Sequence, residues 1–237
     1  MDHGIATSVD AKRGQIMTHW LVQRIFSIQI KALLVFKPAV LFHKINHLVW
    51  YQNTLYQWIS AHKFSSNIEI LEVGCATGSL SDHLAERGYI TTAVDSSASM
   101  ILAAKTHNFN VDYHVSDVRN LLFNDGSFDA VVSASLINII SDQQSAINEM
   151  TRVCKQDGVI SILFPAYTFS NKNLQELTLS LGVSGFSEAA LRAWHKSAPK
   201  MHIHAAEALL QKAGLKTAPP MSYLQGMVAS ISATRIL

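Results

Sequence analysis

The feature that most constrains the fold is an apolar run followed by a glycine-rich turn, residues 68–79, which read Ile-Glu-Ile-Leu-Glu-Val-Gly-Cys-Ala-Thr-Gly-Ser. The run predicts a short buried strand, and a helical pattern begins directly after the turn. Gly74 and Gly78 let the backbone approach a ligand closely, and the first helical turn offers unpaired N–H groups. The stretch therefore predicts a strand, turn and helix that bind a ligand, although an ordinary turn without a ligand has the same pattern.

After this turn, strand and helix patterns alternate along the chain. They follow in this order: helix 79–87, strand 90–94, a helix from Ser96 or Ser97, strand 111–115, strand 128–133, helix 142–154 and strand 159–164. Two further runs, 215–218 and 226–236, are joined by a short connection and predict an antiparallel pair at the sheet edge. The alternation predicts an α/β fold: a Rossmann-like, doubly wound, mostly parallel seven-stranded sheet with an antiparallel edge strand, plus an N-terminal helical cap.

The N-terminal part of the chain differs from the rest in charge and in pattern. No acidic residue lies between Asp10 and Glu69, an interval that holds seven lysine and arginine residues, whereas the whole chain has a net charge of only +2. Apolar residues at helical spacing predict a helix over 17–36 that ends at Pro38, and a second helix over 39–62. The N-terminal part is therefore a basic helical element attached to a less basic body.

These patterns divide the chain into two parts. Residues 1–66 are interpreted as an N-terminal helical arm or cap, of which residues 1–15 are polar and expected to be loose. Residues 67–237 are interpreted as the ligand-binding domain. Within it, residues 165–200 break the alternation and predict an inserted helical segment that caps the substrate.

The basic arm allows two interpretations. One is a helical cap that packs on the domain, and the other is a cationic amphipathic surface for anionic lipid or a lipid-like substrate. A membrane span is not expected, because Arg24 and Lys31 interrupt the apolar run and a span needs about 20 largely apolar residues. Cys75 and Cys154 cannot form a disulfide framework or a zinc site, and no apolar signal core is visible, so a cytoplasmic location is expected.

The spacing around the glycine turn bears on the class of cofactor. A dinucleotide fingerprint requires glycine at positions 74, 76 and 79, and only the first of these is glycine here. The pattern present is Glu-x-Gly-x-x-x-Gly, beginning at Glu72. Asp95 follows about 20 residues beyond the turn, where a carboxylate can accept hydrogen bonds from ribose hydroxyls. The pattern argues against a nicotinamide-dependent oxidoreductase, which stays an alternative.

The segment Leu-Glu-Val-Gly-Cys-Ala-Thr-Gly at 71–78 resembles motif I of the class I S-adenosylmethionine-dependent methyltransferases, with Ala76 in place of the middle glycine. Residues 128–133, Phe-Asp-Ala-Val-Val-Ser, resemble a second motif of that family. Residues 152–158 are similar to its Arg-Val-Leu-Lys-Pro-Gly-Gly segment, apart from substitutions at the turn. The resemblance spans about residues 68–164 and is strongest to the small-molecule branch called methyltransferase type 11.

The resemblance implies S-adenosyl-L-methionine as the cofactor and gives roles to residues at the strand ends. Glu72 would lie beneath the site and hold the loop or a water, and Asp95 would bind the ribose hydroxyls. Asp117 would accept from the adenine amino group, and Ser133 and Ala134 would lie near the methionine amino group. The complete implied set is Glu72, Gly74, Cys75, Ala76, Gly78, Asp95, Ser96, Met100, Asp117, Val118, Ser133 and Ala134.

Methyl transfer from a sulfonium is a direct displacement, so the protein mainly supplies proximity and in-line geometry. A base is needed only if the acceptor carries a proton at neutral pH, and the sequence leaves the catalytic residue unknown. Candidates are His43, His47, Tyr51, His195, His202 and His204. His43 and His47 are four residues apart, as in metal-binding pairs, but no third ligand follows at a recognisable spacing, so no metal is expected.

The sequence is thus interpreted as that of a methyltransferase acting on a small or lipid-like acceptor, with the acceptor atom and the oligomeric state left open. A nucleic-acid substrate is not expected, because the arm has no dense Lys/Arg cluster and no Asn-Pro-Pro-Tyr-type motif follows the fourth strand. Two alternatives stay open: a nicotinamide-dependent oxidoreductase, and a non-catalytic partner subunit that binds the same cofactor.

Overall fold

The computed structural model describes residues 3–235, with side chains for residues 17–19 and 21–235. Its helices are α1 His3–Phe36, α2 Pro38–Asn46, α3 Val49–Ser60, α4 Ser79–Glu86, α5 Ala98–Ala104, α6 Gln143–Val153, α7 Asn171–Leu181, α8 Gly185–Ser197 and α9 Ile203–Lys212. Its strands are β1 Glu69–Val73, β2 Ile90–Asp95, β3 Val111–Val115, β4 Phe128–Ala134, β5 Cys154–Pro165, β6 Leu215–Thr217, β7 Met221–Tyr223 and β8 Val228–Arg235.

The strands form one sheet in the order β3-β2-β1-β4-β5-β8-β6, with the short strand β7 paired to β8. Neighbours from β3 to β5 are parallel, whereas β8 runs antiparallel to β5, β6 and β7. The predicted α/β fold, with its mostly parallel sheet and antiparallel edge, is confirmed. The described chain has eight strands and not seven, because β7 lies in the predicted connection and three residues are too few to give a periodic signal.

Strand β4 shows why the sequence builds a central parallel strand. Ala130, Val131 and Val132 are fully buried, as expected where helices cover both faces of a sheet. Val131 pairs with Leu71 of β1 on one side and with Ile160 of β5 on the other. Parallel pairing of this kind brings the carboxyl ends of β1, β2, β3 and β4 to one edge, where ligands bind in such sheets.

Helices cover both faces of the sheet. Helices α6 and α9 contribute to the apolar core on one face, and α3, α4, α7 and α8 contribute to the core on the other. Trp58 of α3 is fully buried, and its indole Nε1 donates to the Ser161 hydroxyl of β5 at 2.9 Å. The N-terminal helices are thereby fastened to the sheet through α3.

The N-terminal helix is longer than predicted. Helix α1 begins at His3, so residues 3–15, expected to be loose, are helical, while residues 1 and 2 lie outside the described residues. The predicted break at Pro38 is confirmed, since Lys37 separates the two helices and Pro38 is the first residue of α2. A proline at that position loses no helical hydrogen bond, because the N–H there would be unpaired anyway.

The single helix predicted over 39–62 is divided into α2 and α3. Leu48 has an extended backbone with ψ 125°, and its carbonyl accepts from the N–H groups of Tyr51 and Gln52 at 2.9 Å each. Helix α3 therefore begins as a separate helix. Apolar spacing alone did not indicate the break, since both helices continue the same pattern.

Residues 165–200, predicted to be an inserted helical segment, contain α7 and α8. Helix α8 packs along α1 and reaches α3, where the Trp50 and Trp194 rings stack at 5.7 Å. Within residues 3–235, no helix is long and apolar enough to cross a membrane. The division of the chain at residue 66 stays a prediction.

Candidate cofactor site

A cavity of about 540 Å³ lies at the carboxyl edge of the parallel strands. We define its floor as the lining residues that end and follow β1, β2 and β3, its wall as those that end and follow β4, and its roof as those from α2 and α3. The floor comprises residues 72–76, 79, 80, 95–97, 100 and 116–119, the wall residues 134–136 and 139–141, and the roof Phe42, Asn46, Tyr51 and Leu55.

The glycine loop of the floor has a backbone that few residues can adopt. Gly74 has a φ of +80°, and a Cβ there would lie 2.9 Å from Leu136 Cδ2. The N–H groups of Gly74 and Cys75 both donate to the Val94 carbonyl, at 2.8 and 3.0 Å, which fastens the loop to β2. Ala76 has a φ of +47°, a left-handed conformation that costs an L-residue about 1–2 kcal/mol. The strain therefore falls on the position where the family motif has glycine.

Asp95 joins the glycine loop to the next helix. Its Oδ2 accepts from the Ala76 N–H at 3.0 Å, and its Oδ1 accepts from the Ser97 N–H at 2.9 Å. Ser97 occupies the cap position of α5, but its hydroxyl bonds to that of Ser99. Because each carboxylate oxygen accepts more than one bond, Asp95 can hold the loop and still accept from a ligand hydroxyl.

Glu72 is a buried carboxyl group in the floor. It is only 3% exposed, and its Oε2 accepts a hydrogen bond from the Ser81 hydroxyl. Burial raises the pKa of Glu72 to about 7. A buried titratable group with a shifted pKa in a cavity is a marker of a functional site, because burying it lowers stability and a role in ligand binding accounts for its presence.

The end of β3 adds polar groups to the floor. Arg119 Nη2 lies 2.6 Å from Asp117 Oδ2, and this hydrogen bond lowers the pKa of Asp117 to about 2. The buried Ser116 hydroxyl has no protein partner among the described residues, and the Ser135 hydroxyl in the wall is in the same position. Buried polar atoms of this kind are usually satisfied, so both hydroxyls are available to a ligand.

Ten of the twelve residues implied by the family resemblance line this cavity. The exceptions are Gly78 and Ser133. Gly78 begins α4 with a φ of +84°, and the Tyr113 hydroxyl donates to its carbonyl at 3.3 Å. Ser133 is fully buried and donates to the Val73 carbonyl at 3.0 Å, so its hydroxyl joins β4 to β1 inside the sheet. The other ten residues line the cavity, and their contacts with a cofactor stay predictions.

The proposed catalytic candidates lie in different places. Tyr51 lines the cavity, and burial raises the pKa of its phenol well above the usual range, so near neutral pH it keeps its proton and can donate a hydrogen bond but not act as a base. His43 and His47 line a separate cavity of about 390 Å³ together with His107. Buried His195 bonds to Asn171, with 3.2 Å between Nε2 and Oδ1. Within the described chain, no histidine lines the larger cavity.

His202 and His204 lie next to each other at the start of α9, with the His202 ring 3.9 Å from that of Tyr167. Neither residue lines the larger cavity. The described residues also contain no group of three His, Cys, Asp or Glu side chains placed to hold a metal ion.

Among the roof residues, sequence reasoning named Tyr51 as a candidate but did not single out Asn46 or Phe42. Asn46 is 5% exposed, and its Nδ2 donates to the Thr77 hydroxyl at 2.9 Å, which ties α2 to the glycine loop. Phe42 and Leu55 add apolar surface. Asn46 gave no signal in the sequence, because asparagine in a helix is mostly exposed and the sequence did not indicate that this one is buried. Described residues of 165–200 do not line the cavity, so their role as a substrate cap stays a prediction.

Residues 71–162 match a family model described as a methyltransferase domain. A curated ubiquinone biosynthesis O-methyltransferase from Coxiella burnetii is 33% identical over 110 residues, covering 43% of this chain and 47% of the relative. The chain thus spans about half the length of the curated relatives it matches.

Two solved structures share the fold. Magnesium protoporphyrin IX methyltransferase from Synechocystis PCC 6803, with bound SAH, has a TM-score of 0.59 and 18% identity over 79% of this chain and 84% of that chain. The [4+2]-cyclase SpnF has a TM-score of 0.60 and 14% identity over 80% and 84% of the two chains. Because one of these neighbours is a cyclase, likeness at this level shows the architecture and not the reaction.

The family match over residues 71–162 and the fold together confirm the predicted class for that part of the chain, a class I methyltransferase domain of the S-adenosylmethionine-dependent type. The antiparallel strand β8 between β5 and β6 also distinguishes its sheet from the six-stranded parallel order of dinucleotide-binding folds. The nicotinamide-dependent alternative is therefore not supported.

Proposed function

We propose that the protein transfers a methyl group from S-adenosylmethionine to a small or lipid-like acceptor by direct displacement. The observation that carries the proposal is the single cavity in which a cofactor-type floor faces the same space as a largely apolar roof and wall. The floor supplies the glycine loop, Glu72 and Asp95, while Phe42 and Leu55 supply apolar surface. A cofactor on the floor and an acceptor against the roof and wall can therefore contact each other.

The residues of the floor fit this cofactor. The close backbone approach at Gly74 leaves room for its methionine part, and Glu72 lies where a carboxylate can attract a positively charged group. Asp95 has acceptor capacity for the ribose, and Ser116 and Asp117, which line the cavity, would hold the adenine. When bound, the cofactor supplies a methyl group already activated by the sulfonium.

The roof and wall would orient the acceptor. Leu136, Ile139 and Ile140 of the wall are apolar and, with the roof, exclude water from the acceptor. Tyr51 donates a hydrogen bond, since its phenol stays protonated. The names of the curated relatives make an oxygen atom on an apolar molecule the first acceptor to test. We also propose a cytoplasmic location, supported by two buried unpaired cysteines.

The proposal is tested by incubating the protein with methyl-labelled cofactor and fractions of polar metabolites and lipids. We expect label in the lipid or apolar small-molecule fraction, and none in nucleic acid. Asp95→Ala should lower cofactor affinity by about 10- to 100-fold, since a hydrogen bond to a charged group contributes about 1.5–3 kcal/mol. Asp95→Asn is the matched control, because its amide oxygen still accepts one of the two bonds.

A non-catalytic cofactor-binding subunit is the second candidate. It is favoured by the substitution of glycine at Ala76, a strained position in the loop. Cofactor binding without transfer of label to any fraction would support it and would overturn the proposed reaction.

A further inference from the structure

Helix α1 is fastened to the rest of the protein along one side. Ile30 on that side is buried, and the Phe26 ring lies edge-on to Phe186 of α8 with 6.2 Å between ring centroids. Gln23 Nε2 donates to Glu188 Oε2 at 2.7 Å on the same side. These contacts determine which side of α1 faces away from the protein.

The opposite side of α1 exposes a row of large apolar side chains. Leu21, Ile25, Ile28 and Val35 are 46%, 63%, 60% and 71% exposed. They are spaced four, three and seven residues apart, so they form one stripe about 20 Å long. Proteins rarely expose a contiguous apolar surface of this kind unless it binds a partner or a membrane. We call these four residues the α1 stripe.

Cations border the α1 stripe. Arg24 follows Leu21 by three residues and precedes Ile28 by four, and Lys31 stands in the same relation to Ile28 and Val35. Both therefore lie beside the stripe on the helix surface. The sequence has no acidic residue from 11 to 68, and the Glu188 carboxylate that reaches α1 accepts from Gln23 and Arg192. A partner surface that complements α1 is therefore apolar where it meets the α1 stripe and negatively charged where it meets Arg24 and Lys31.

We propose that α1 binds the surface of an anionic membrane, with the α1 stripe among the acyl chains and Arg24 and Lys31 at the headgroups. Long basic side chains extend to headgroups in this way, and each basic residue near an anionic surface adds to the attraction. The helix lies on the membrane and does not span it, in keeping with the hydropathy of the described helices.

A second copy of the chain fits the stripe less well than a membrane. Pairing two α1 helices would bring the Arg24 and Lys31 rows of both copies together, with no carboxylate between residues 11 and 68 to separate them. Like charges at such positions oppose pairing, whereas anionic lipid neutralises them. The inference does not depend on the proposed methyl transfer.

The test is vesicle co-sedimentation of the full-length protein. We expect binding to phosphatidylcholine vesicles that contain phosphatidylglycerol, loss of binding at high salt, and little binding to phosphatidylcholine alone. Replacing Ile25 and Ile28 by glutamine should lower the partition coefficient about tenfold or more, because two exposed apolar anchors are lost. Lys31→Glu should also weaken binding, and more at low salt than at high salt.

Leu102→Gln is the matched control, since Leu102 is 72% exposed on helix α5. It should leave vesicle binding unchanged, and cofactor titration of every variant checks that the domain stays folded. Absence of vesicle binding at low salt would overturn the inference. So would equal binding of the wild type and the double variant. Light scattering that shows a dimer in the wild type and a monomer in the double variant, without vesicle binding, would assign the stripe to a second copy instead.

Discussion

The floor and the roof of the cavity differ in backbone strain and in how fully their polar groups are hydrogen-bonded. In the floor, Ala76 has a left-handed backbone, Glu72 is buried with a raised pKa, and the Ser116 hydroxyl has no partner within the described chain. In the roof, Tyr51 lies edge-on to Trp194 at 5.6 Å, and Asn46 is hydrogen-bonded. The floor holds strained and unsatisfied groups, whereas the roof is packed and satisfied.

This difference teaches where binding chemistry lies. Natural sequences retain strain and unpaired buried groups mainly where a ligand needs them. The floor lies largely within the matched region 71–162, whereas the roof comes from residues 42–55, outside it. We therefore expect variants of the floor to change cofactor affinity, and variants of the roof to change use of the acceptor.

The largest effect is expected from Gly74→Ala. The added Cβ would lie 2.9 Å from Leu136 Cδ2 in a left-handed backbone, so the loop must shift. Cofactor affinity should fall about 100-fold, from strain of about 1–2 kcal/mol and from displaced loop N–H groups. Calorimetric titration measures the change.

Gly88→Ala is the control for backbone strain alone. Gly88 has a φ of +83°, but a Cβ there meets nothing within 4 Å. It should lower stability by about 1 kcal/mol and leave cofactor affinity unchanged. If both alanine variants bind cofactor equally well, close approach at Gly74 is not required.

Glu72→Gln should stabilise the protein in a pH-dependent way. The folded-state pKa of about 7 lies above the ordinary 4.5, so the protonated form is favoured in the fold. The associated stability is present below pH 4.5 and is lost as the pH rises through about 7. At pH 8 the variant should gain about 2–3 kcal/mol, and at pH 4 it should gain little.

Urea unfolding at both pH values tests this, with Glu86→Gln at the exposed end of α4 as the control. Cofactor affinity of Glu72→Gln should fall at the same time, because the charge that serves the ligand is removed. A variant that gains no stability at pH 8 contradicts a buried, poorly solvated Glu72.

Tyr51→Phe tests the roof. Removal of the hydroxyl should leave cofactor affinity within about twofold, because the ring still packs against Trp194. Acceptor turnover should fall up to about tenfold, which corresponds to about 1.4 kcal/mol and so to one lost hydrogen bond. If Tyr51→Phe lowers cofactor affinity more than acceptor turnover, the proposed distinction between roof and floor is wrong.

The smallest effect is expected from Ala76→Gly. Glycine relieves about 1–2 kcal/mol of left-handed strain but gives the unfolded chain more freedom, so the net gain should be about 0.5 kcal/mol. Cofactor affinity should be equal or slightly higher. Thermal unfolding with and without S-adenosylhomocysteine measures both, and a destabilised variant would show that the alanine methyl makes contacts that matter.

The fold was predictable because parallel strands covered on both faces give nearly continuous apolar runs, as in β4. Most of the floor was predictable because motif positions fix it. The orientation of Ser133 in β4 was not predictable from the motif. Side chains alternate along a strand, and Ala134, not Ser133, faces the cavity. The roof depends on contacts between distant positions, such as Asn46 with Thr77, and these leave no periodic signal in the sequence.

Titration of the full-length protein with S-adenosylhomocysteine and with NAD tests most directly whether the floor binds the cofactor. We predict one site of micromolar affinity for S-adenosylhomocysteine, about −8 kcal/mol, and no measurable heat with NAD. The affinity should fall about 100-fold in Gly74→Ala and stay within about twofold in Tyr51→Phe. Tight binding of NAD without binding of S-adenosylhomocysteine, in protein that is folded by circular dichroism, would contradict the assignment of the floor.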